Sequence, residues 1–393
     1  MRLLVVSTQP WTVAARLAMA LHAAGCVVEG ASPRGSLLAR SAAPVRNHVL
    51  RPWSMGADLA RALRAARPDR AVPADDRAAA LLRALHAEDD LRALIEASLG
   101  DPAGYPVAAA KSAQMALSAR LGLPMPGTRP VPGLAALEAA IAEGGLPRVL
   151  KTDGSWGGAG VQVLRDATEA APAFARATAA PTLMQSLKLA AWEGSLNPLF
   201  ARREWRPGVP DLQDFVEGHP ANRAVIAERG RVLAGLSVEV LHAASATAPA
   251  TVVRVVDDAQ MAASAAAMTE SLGLSGFLGF DFVVERGTGR KLLIEMNPRA
   301  TPICHLGGGL AAAYAAHLRG GEAAAAPIPA PGTEIALFPG EWLRDPHSPY
   351  LNGAWHDVPW EDAGLLRAYL DDAAGLERFA RRQRLFRRMT GRA

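Results

Sequence analysis

The stretch 277–299, FLGFDFVVERGTGRKLLIEMNPR, decides how the rest of the chain is read. Phe277–Val284 and, more weakly, Lys291–Met296 are rich in aromatic and β-branched residues. Gly287-Thr288-Gly289 between them tolerates positive φ, so the stretch predicts a β-hairpin. A three-residue loop centred on Thr288 puts Asp281 directly opposite Glu295; a two-residue loop puts it opposite Met296. In the first register Asn297 and Arg299 share the face of Glu295, because side chains alternate with period two. Directly opposed Cβ atoms lie roughly 5 Å apart, and like charges there repel. A divalent cation turns that repulsion into coordination, and magnesium takes one or two carboxylates together with phosphate and water. Asp281, Glu295 and the amide oxygen of Asn297 supply such a set. A surface hairpin with solvated carboxylates is the plain alternative.

Length and composition frame this reading. The 393 residues suit two or three domains. Hydrophobic residues make up 50% and aromatics only 5%, with abundant alanine, which predicts helix-rich α/β architecture. The net charge of +4 is mild and does not by itself imply nucleic acid. Only four lysines (Lys111, Lys151, Lys188, Lys291) stand against 38 arginines. A retained lysine is therefore informative, since its compact ammonium differs chemically from a guanidinium. Cys26 and Cys304 are far apart in apolar contexts, without disulfide or zinc spacing. No apolar run reaches membrane-spanning length, and the N-terminus does not read as a signal peptide. The cytoplasm is the expected compartment, without membrane contact.

Residues 1–105 alternate strand and helix signals, a βαβ pattern that argues an open parallel sheet. The turn after the first strand, Ser7-Thr8-Gln9-Pro10-Trp11, holds no glycine, which excludes a dinucleotide fingerprint. Asp75 and Asp76 follow a strand end; they face a ligand or, more simply, cap the next helix. Val107–Leu121 predicts one helix carrying Lys111. Val149–Val163 reads as two short strands around a loop with four glycines, whose N–H groups can converge on phosphate oxygens. Lys151 ends the first of these strands, and Ser155 adds a donor. A strand rather than a helix follows, so a Walker loop is excluded. Residues 186–210, with Trp192, Trp205, Arg202, Arg203 and Arg206, read as irregular, either a substrate lid or a surface excursion. Leu212–Gly218 reads as a strand with a turn.

Several segments together resemble the carboxylate–amine ligase branch of the ATP-grasp superfamily, in that family's order. They are Lys111 before Leu121-Gly122-Leu123-Pro124, Val149-Leu150-Lys151 with its glycine loop, Gln213–Gly218, and Gly279-Phe280-Asp281 with Leu293–Arg299. The resemblance implies a pre-ATP-grasp domain over 1–105 and an ATP-grasp domain over 106–317. It divides the latter into a lid part at about 106–212 and a metal-site part at about 213–317. Residues 318–393 are then a linker and a C-terminal extension. It implies ATP and Mg2+ (or Mn2+) as cofactors. Lys111 and Lys151 would contact the phosphates, Gly157, Gly158 and Gly160 would close over them, and Ser155 would assist. Gln213, Asp214, Phe215 and Val216 would meet the adenine. Asp281, Glu295 and Asn297 would hold the metal. Arg299 would steady the transferring phosphoryl group, with Lys151 and Arg254 as further catalytic residues. The acidic ribose contact common in relatives is replaced by His219-Pro220-Ala221-Asn222, which leaves Asn222 as a candidate.

The activity so implied is an ADP-forming ligase. A carboxylate attacks the γ-phosphate, and an amine or related nucleophile then displaces phosphate. Its substrates would be a small carboxylate and an amine. Two rivals are weighed: an ATP-binding or phosphoryl-transferring protein without ligase activity, and a nucleic-acid-binding protein. The latter is prompted by seven arginines within 376–393, but few aromatics interleave there for base stacking, so no nucleic-acid partner is expected. His305 reads as structural, with a proton-transfer role as the alternative. A homodimer stays open.

Overall fold

The structure, a computed structural model, describes residues 1–152, 160–193, 196–205, 208–243, 249–321 and 329–371. The N-terminal sheet is parallel, as the βαβ pattern predicts. It contains β1 (Arg2–Val6), β2 (Val27–Ser32), β3 (Asn47–Val49) and β4 (Arg70–Pro73), in the order β3-β2-β1-β4. After the exposed Arg2, the inner strand β1 is apolar from Leu3 to Val6 because both faces are covered. Leu3 and Val5 enter one core, Leu4 and Val6 the other.

A small antiparallel sheet follows, with β5 (Thr128–Pro130), β6 (Arg148–Lys151), β7 (Val161–Leu164) and β8 (Asp211–Asp214) in the order β5-β8-β6-β7. Leu150, Leu164 and Leu212 pack on the helices Leu134–Gly144 and Ala170–Thr178. By alternation, Val149, Lys151, Val161, Val163, Asp211 and Gln213 point the other way.

The large sheet is formed by β9 (Gly218–Glu228), β10 (Arg231–Ala243), β11 (Ala250–Val256), β12 (Gly276–Glu285), β13 (Lys291–Asn297), β14 (Glu334–Ala336) and β15 (Trp355–His356). Their order is β13-β12-β9-β10-β11-β14-β15. On one face Val225, Phe280 and Phe282 pack on Met261, Ala265 and Met268 of the helix Ala259–Ser271. On the other, Ala224, Ile226, Val238 and Phe277 share a core with Tyr314 and with Leu17 of the N-terminal helix Thr12–Ala23. One continuous core thus ties the N-terminal sheet to the large sheet.

Three segments depart from the sequence reading. The helix expected over 107–121 breaks at Ala110, which is extended (φ −125°, ψ 119°), so Lys111 opens a new helix, Lys111–Arg120. Residues expected to be irregular within 186–210 lie largely in two helices, Leu183–Glu193 and Asn197–Glu204. The third departure lies in the hairpin β12–β13 and bears directly on the site. The C-terminal extension packs against the main body, giving β14 and β15 to the large sheet and burying Leu365, Ala368 and Tyr369 against Ala15 and Leu37. The arginines from 378 onward lie outside the described residues, and among the described residues no helix is long and apolar enough to cross a membrane.

Candidate active site

Asp281 does stand opposite Glu295, but neither of the two expected loops puts it there. Near the turn, Val284 pairs with Lys291 and Phe282 with Leu293, and Glu285 closes on Arg290 around a four-residue loop, Arg286–Gly289. That register alone would carry Asp281 to Ile294. A bulge at Ile294 shifts the pairing by one, and beyond it Asp281 meets Glu295 and Gly279 meets Asn297. The bulge also frees the Ile294 carbonyl, which accepts a hydrogen bond from Lys151 Nζ at 3.3 Å.

The polar row continues through Asn222 of β9, opposite Asp281 on its other side. Asn222 Nδ2 donates to Asp281 Oδ1 at 2.6 Å and Asn297 Nδ2 to Asp281 Oδ2 at 3.1 Å. Burial pushes the Asp281 carboxyl up to about 6, and the neighbouring Glu295 pushes the same way, while Asn222, Arg299 and Asn297 oppose the shift. Two carboxylates held face to face repel, and a hard cation between them relieves that repulsion. Among the described residues no three or more His, Cys, Asp and Glu side chains gather around one point. Two carboxylates and an amide are the complement that suits magnesium shared with phosphate oxygens, so the residues fit that ion.

Two ammonium groups converge on the same place. Because Lys111 opens its helix, its side chain reaches back to the hairpin, with Nζ 3.2 Å from Glu295 Oε1. Gln114, one turn on, accepts from the Met296 N–H at 3.0 Å and seats the edge strand β13 against this helix. Lys151 comes from the small sheet. Burial pulls its pKa down to about 8; Glu295 opposes the shift and Lys111 adds to it.

Arg299 follows the strand end. Its Nε donates to Asp76 Oδ1 at 2.9 Å and one terminal nitrogen to Asn297 Oδ1 at 3.0 Å. Asp76 belongs to the N-terminal domain and opens the helix Asp76–Leu85. Its neighbour Asp75 is the cap expected from the sequence, accepting from Ala78 N–H at 2.9 Å. The Ala300 N–H donates to the Pro73 carbonyl at 3.0 Å, binding the two domains beside the site. Gly279 is required here: a Cβ would lie 2.1 Å from Thr301 Cγ2, where the loop after β13 folds back over the strand.

The expected adenine segment lies beside a cleft of about 410 Å³, lined by Pro126, Gly127, Asp214–Glu217, Glu285 and Leu292 among others. Asp214 is less available than expected: its N–H donates to the Gly127 carbonyl at 2.8 Å, and its carboxylate pairs with Arg148. Phe215 lies under the Arg165 guanidinium, 5.4 Å from its ring centre. Gln213 is buried and donates to Thr128 Oγ1 at 3.0 Å. Val149, Val161 and Val163 are half-buried on the face of Lys151 and form an apolar wall that sequence reasoning did not single out.

Two expectations are corrected. Arg254 sits on the opposite face of the large sheet from Asp281. Asp281, Asn222, Val238 and Val255 form one row, so the adjacent Arg254 points away, and it pairs with Glu334 at 2.8 Å. Asn222, the candidate ribose contact, lies against Asp281 instead. Ser155, Gly157 and Gly158 fall outside the described residues; Gly160 is described, and its carbonyl accepts from Thr152 N–H at 3.1 Å. His305 is paired with the buried Asp357, its Nε2 2.8 Å from the carboxylate.

No family model matches the chain, and no curated protein matches it in sequence. Solved structures do match in fold. A biotin carboxylase from Campylobacter jejuni in complex with β,γ-ATP superposes with a TM-score of 0.58 at 14% identity, over 84% of this chain and 72% of that one. The N5-carboxyaminoimidazole ribonucleotide synthetase of Thermus thermophilus gives 0.56 at 19%, over 85% and 81%. The biotin carboxylase domain dimer of the Hydrogenobacter thermophilus 2-oxoglutarate carboxylase, with MgADP and bicarbonate, gives 0.54 at 13%, over 78% and 65%. The chain therefore has the ATP-grasp fold, preceded by a pre-ATP-grasp domain.

Proposed function

We propose that the chain is an ATP-dependent, ADP-forming ligase that activates a small carboxylate and couples it to an amine. One observation carries this reading: Asp281 and Glu295 face each other at the place where the Lys111 ammonium reaches Glu295 and Lys151 is held by the carbonyl of the preceding residue, Ile294. A fold gains little stability from opposed, half-buried carboxylates and neighbouring half-buried ammonium groups. A triphosphate with its cation satisfies all four. The matched structures' own ligands, β,γ-ATP and MgADP, are consistent with this.

In this reading Lys111 and Lys151 bind phosphate oxygens, and Val149, Val161 and Val163 give the base an apolar wall. Phe215 and Val216 offer backbone groups to its edge, since the Asp214 N–H is already engaged. Asp281, Glu295 and Asn297 would hold Mg2+ or Mn2+, which when bound neutralises charge on the transferring phosphoryl group. Asn297 now gives its NH2 to Asp281 and its oxygen to Arg299, so ligation through that oxygen competes with Arg299. A guanidinium so released is available to the phosphoryl oxygens. The substrate carboxylate oxygen attacks the γ-phosphorus as the bond to the β-phosphate bridging oxygen breaks, giving acyl phosphate and ADP. The amine nitrogen then attacks the acyl carbon, phosphate leaves with the C–O electron pair, and the amine proton passes to solvent. No protein nucleophile is needed.

The test is a screen of small acids paired with amines for magnesium-dependent ADP release, with mass spectrometry of any amide. ADP release that needs an acid and an amine together supports ligation. Release that no amine alters points instead to phosphoryl transfer alone.

A further inference from the structure

The helices Leu183–Glu193 and Asn197–Glu204 form an insertion between the small sheet's helix Ala170–Thr178 and strand β8. This insertion does not stay with the lid. Asn197, 2% exposed, donates through Nδ2 to the carbonyl of Thr8, in the loop that ends β1 of the N-terminal sheet. Phe200 lies 6.4 Å, centre to centre, from Trp53 of the same domain. Thr8 in turn gives its N–H (2.6 Å) and its hydroxyl (2.8 Å) to the Asp75 carboxylate, which is 1% exposed and caps the helix Asp76–Leu85. The next residue, Asp76, holds Arg299; Arg299 holds Asn297; and Asn297 holds Asp281. An unbroken run of hydrogen bonds and covalent neighbours thus leads from the lid insertion to the carboxylate row.

We propose that Asn197 is a positioning residue that couples the lid's seat on the nucleotide to the setting of Arg299. This rests on the nucleotide-binding reading given above. The small sheet carries Lys151, so a nucleotide that draws in this sheet also draws the insertion, and Asn197 passes that displacement to Thr8. Thr8 is tied to Asp75 by two hydrogen bonds, so the first turn of the helix Asp76–Leu85 follows, and with it the ion pair to Arg299. The acceptor side of the site is thereby set only when the nucleotide side is filled. Both Thr8 donors are taken by Asp75, the Ser7 hydroxyl by Asp75 and the Gln9 carbonyl, and the Ser7 N–H by the Ala31 carbonyl, so the loop after β1 acts as a relay rather than an anion cradle.

The experiment is amide hydrogen exchange on the full chain with and without MgADP. It compares the wild type with Asn197→Asp, which keeps the shape but loses the donor, and with Arg202→Ala. Arg202 donates to the Pro181 carbonyl within the same lid and does not touch Thr8, so it controls for loosening of the insertion alone. In the wild type and in Arg202→Ala, MgADP slows exchange both at 148–152 and at 5–9 and 75–79. In Asn197→Asp the slowing at 148–152 persists while that at 5–9 and 75–79 drops at least threefold. A merely structural contact would shift exchange equally with and without nucleotide. Equal nucleotide-induced slowing at 5–9 and 75–79 in wild type and Asn197→Asp overturns the coupling and leaves the ligase reading standing. No slowing anywhere in the wild type overturns both.

Discussion

Two hairpins meet across the cleft, and they are built to opposite requirements. The acidic one, β12–β13, is anchored by a strand of ten residues paired on both sides and backed by Phe280, Phe282 and the helix Ala259–Ser271. The basic one, β6–β7, has strands of four residues each, packed on one face only, with half-buried valines turned to the cleft. Like charges repel, so Asp281 and Glu295 stay together only on a backbone that packing elsewhere over-determines. A cation that meets a ligand needs less: one buried strand end and a carbonyl to rest on. The difference teaches that the rigid half stores the electrostatic cost, and the thin half brings the charge that relieves it.

The comparison breaks most visibly at Glu295. Glu295→Gln should lower magnesium-dependent ADP release at least about 100-fold, a loss reached even by outer partners of metal sites. Its circular dichroism and Tm should stay near wild type, because losing the repulsion with Asp281 offsets losing the ion pair with Lys111. Wild-type turnover in this variant would end the metal-site reading.

On the basic side, Lys151→Ala should weaken MgADP binding about 10- to 100-fold in calorimetry, the worth of one charge-assisted hydrogen bond. The lowered pKa adds a pH signature. Lys151 carries its charge below about 8 and loses it as pH rises through that value. Affinity should therefore be level between about pH 6, below which the Asp281 carboxylate is protonated, and pH 8, and fall above that, approaching about tenfold per pH unit. Lys151→Arg, charged throughout, should lose the break; a break that persists would assign it to another group.

Gly279→Ala probes the rigid half by packing rather than charge. Its new methyl would meet Thr301. An expected loss of about 1–3 kcal/mol, read from chemical denaturation, is the usual cost of overpacking, and adding Thr301→Ser should recover much of it. The smallest effect belongs to Arg254→Gln. With its side chain on the far face, ADP release should stay within about twofold of wild type, as for a surface change. A large loss would return Arg254 to the catalytic set.

The amino-acid sequence determined the elements that rest on local signals. β-branched and aromatic runs around Gly287-Thr288-Gly289 made the hairpin legible, and the apolar first strand made the parallel sheet legible. Scarcity made Lys111 and Lys151 conspicuous, and Asp75 was readable as a cap because its partner lies three residues away. Other features had no local signal. The bulge at Ile294 is decided by pairing and by what Lys151 and Gln114 ask of the edge strand, so hairpin loop length alone gave the wrong route to the right pair. The pairing of Asp76 with Arg299 joins residues far apart in the chain. The face that Arg254 takes depends on a register counted across four strands, and Asn197 matters only because its insertion crosses to another domain. Spacing along a chain encodes which side chains share an element; which elements share a cleft is settled by packing between distant segments, and there only the tertiary structure decides.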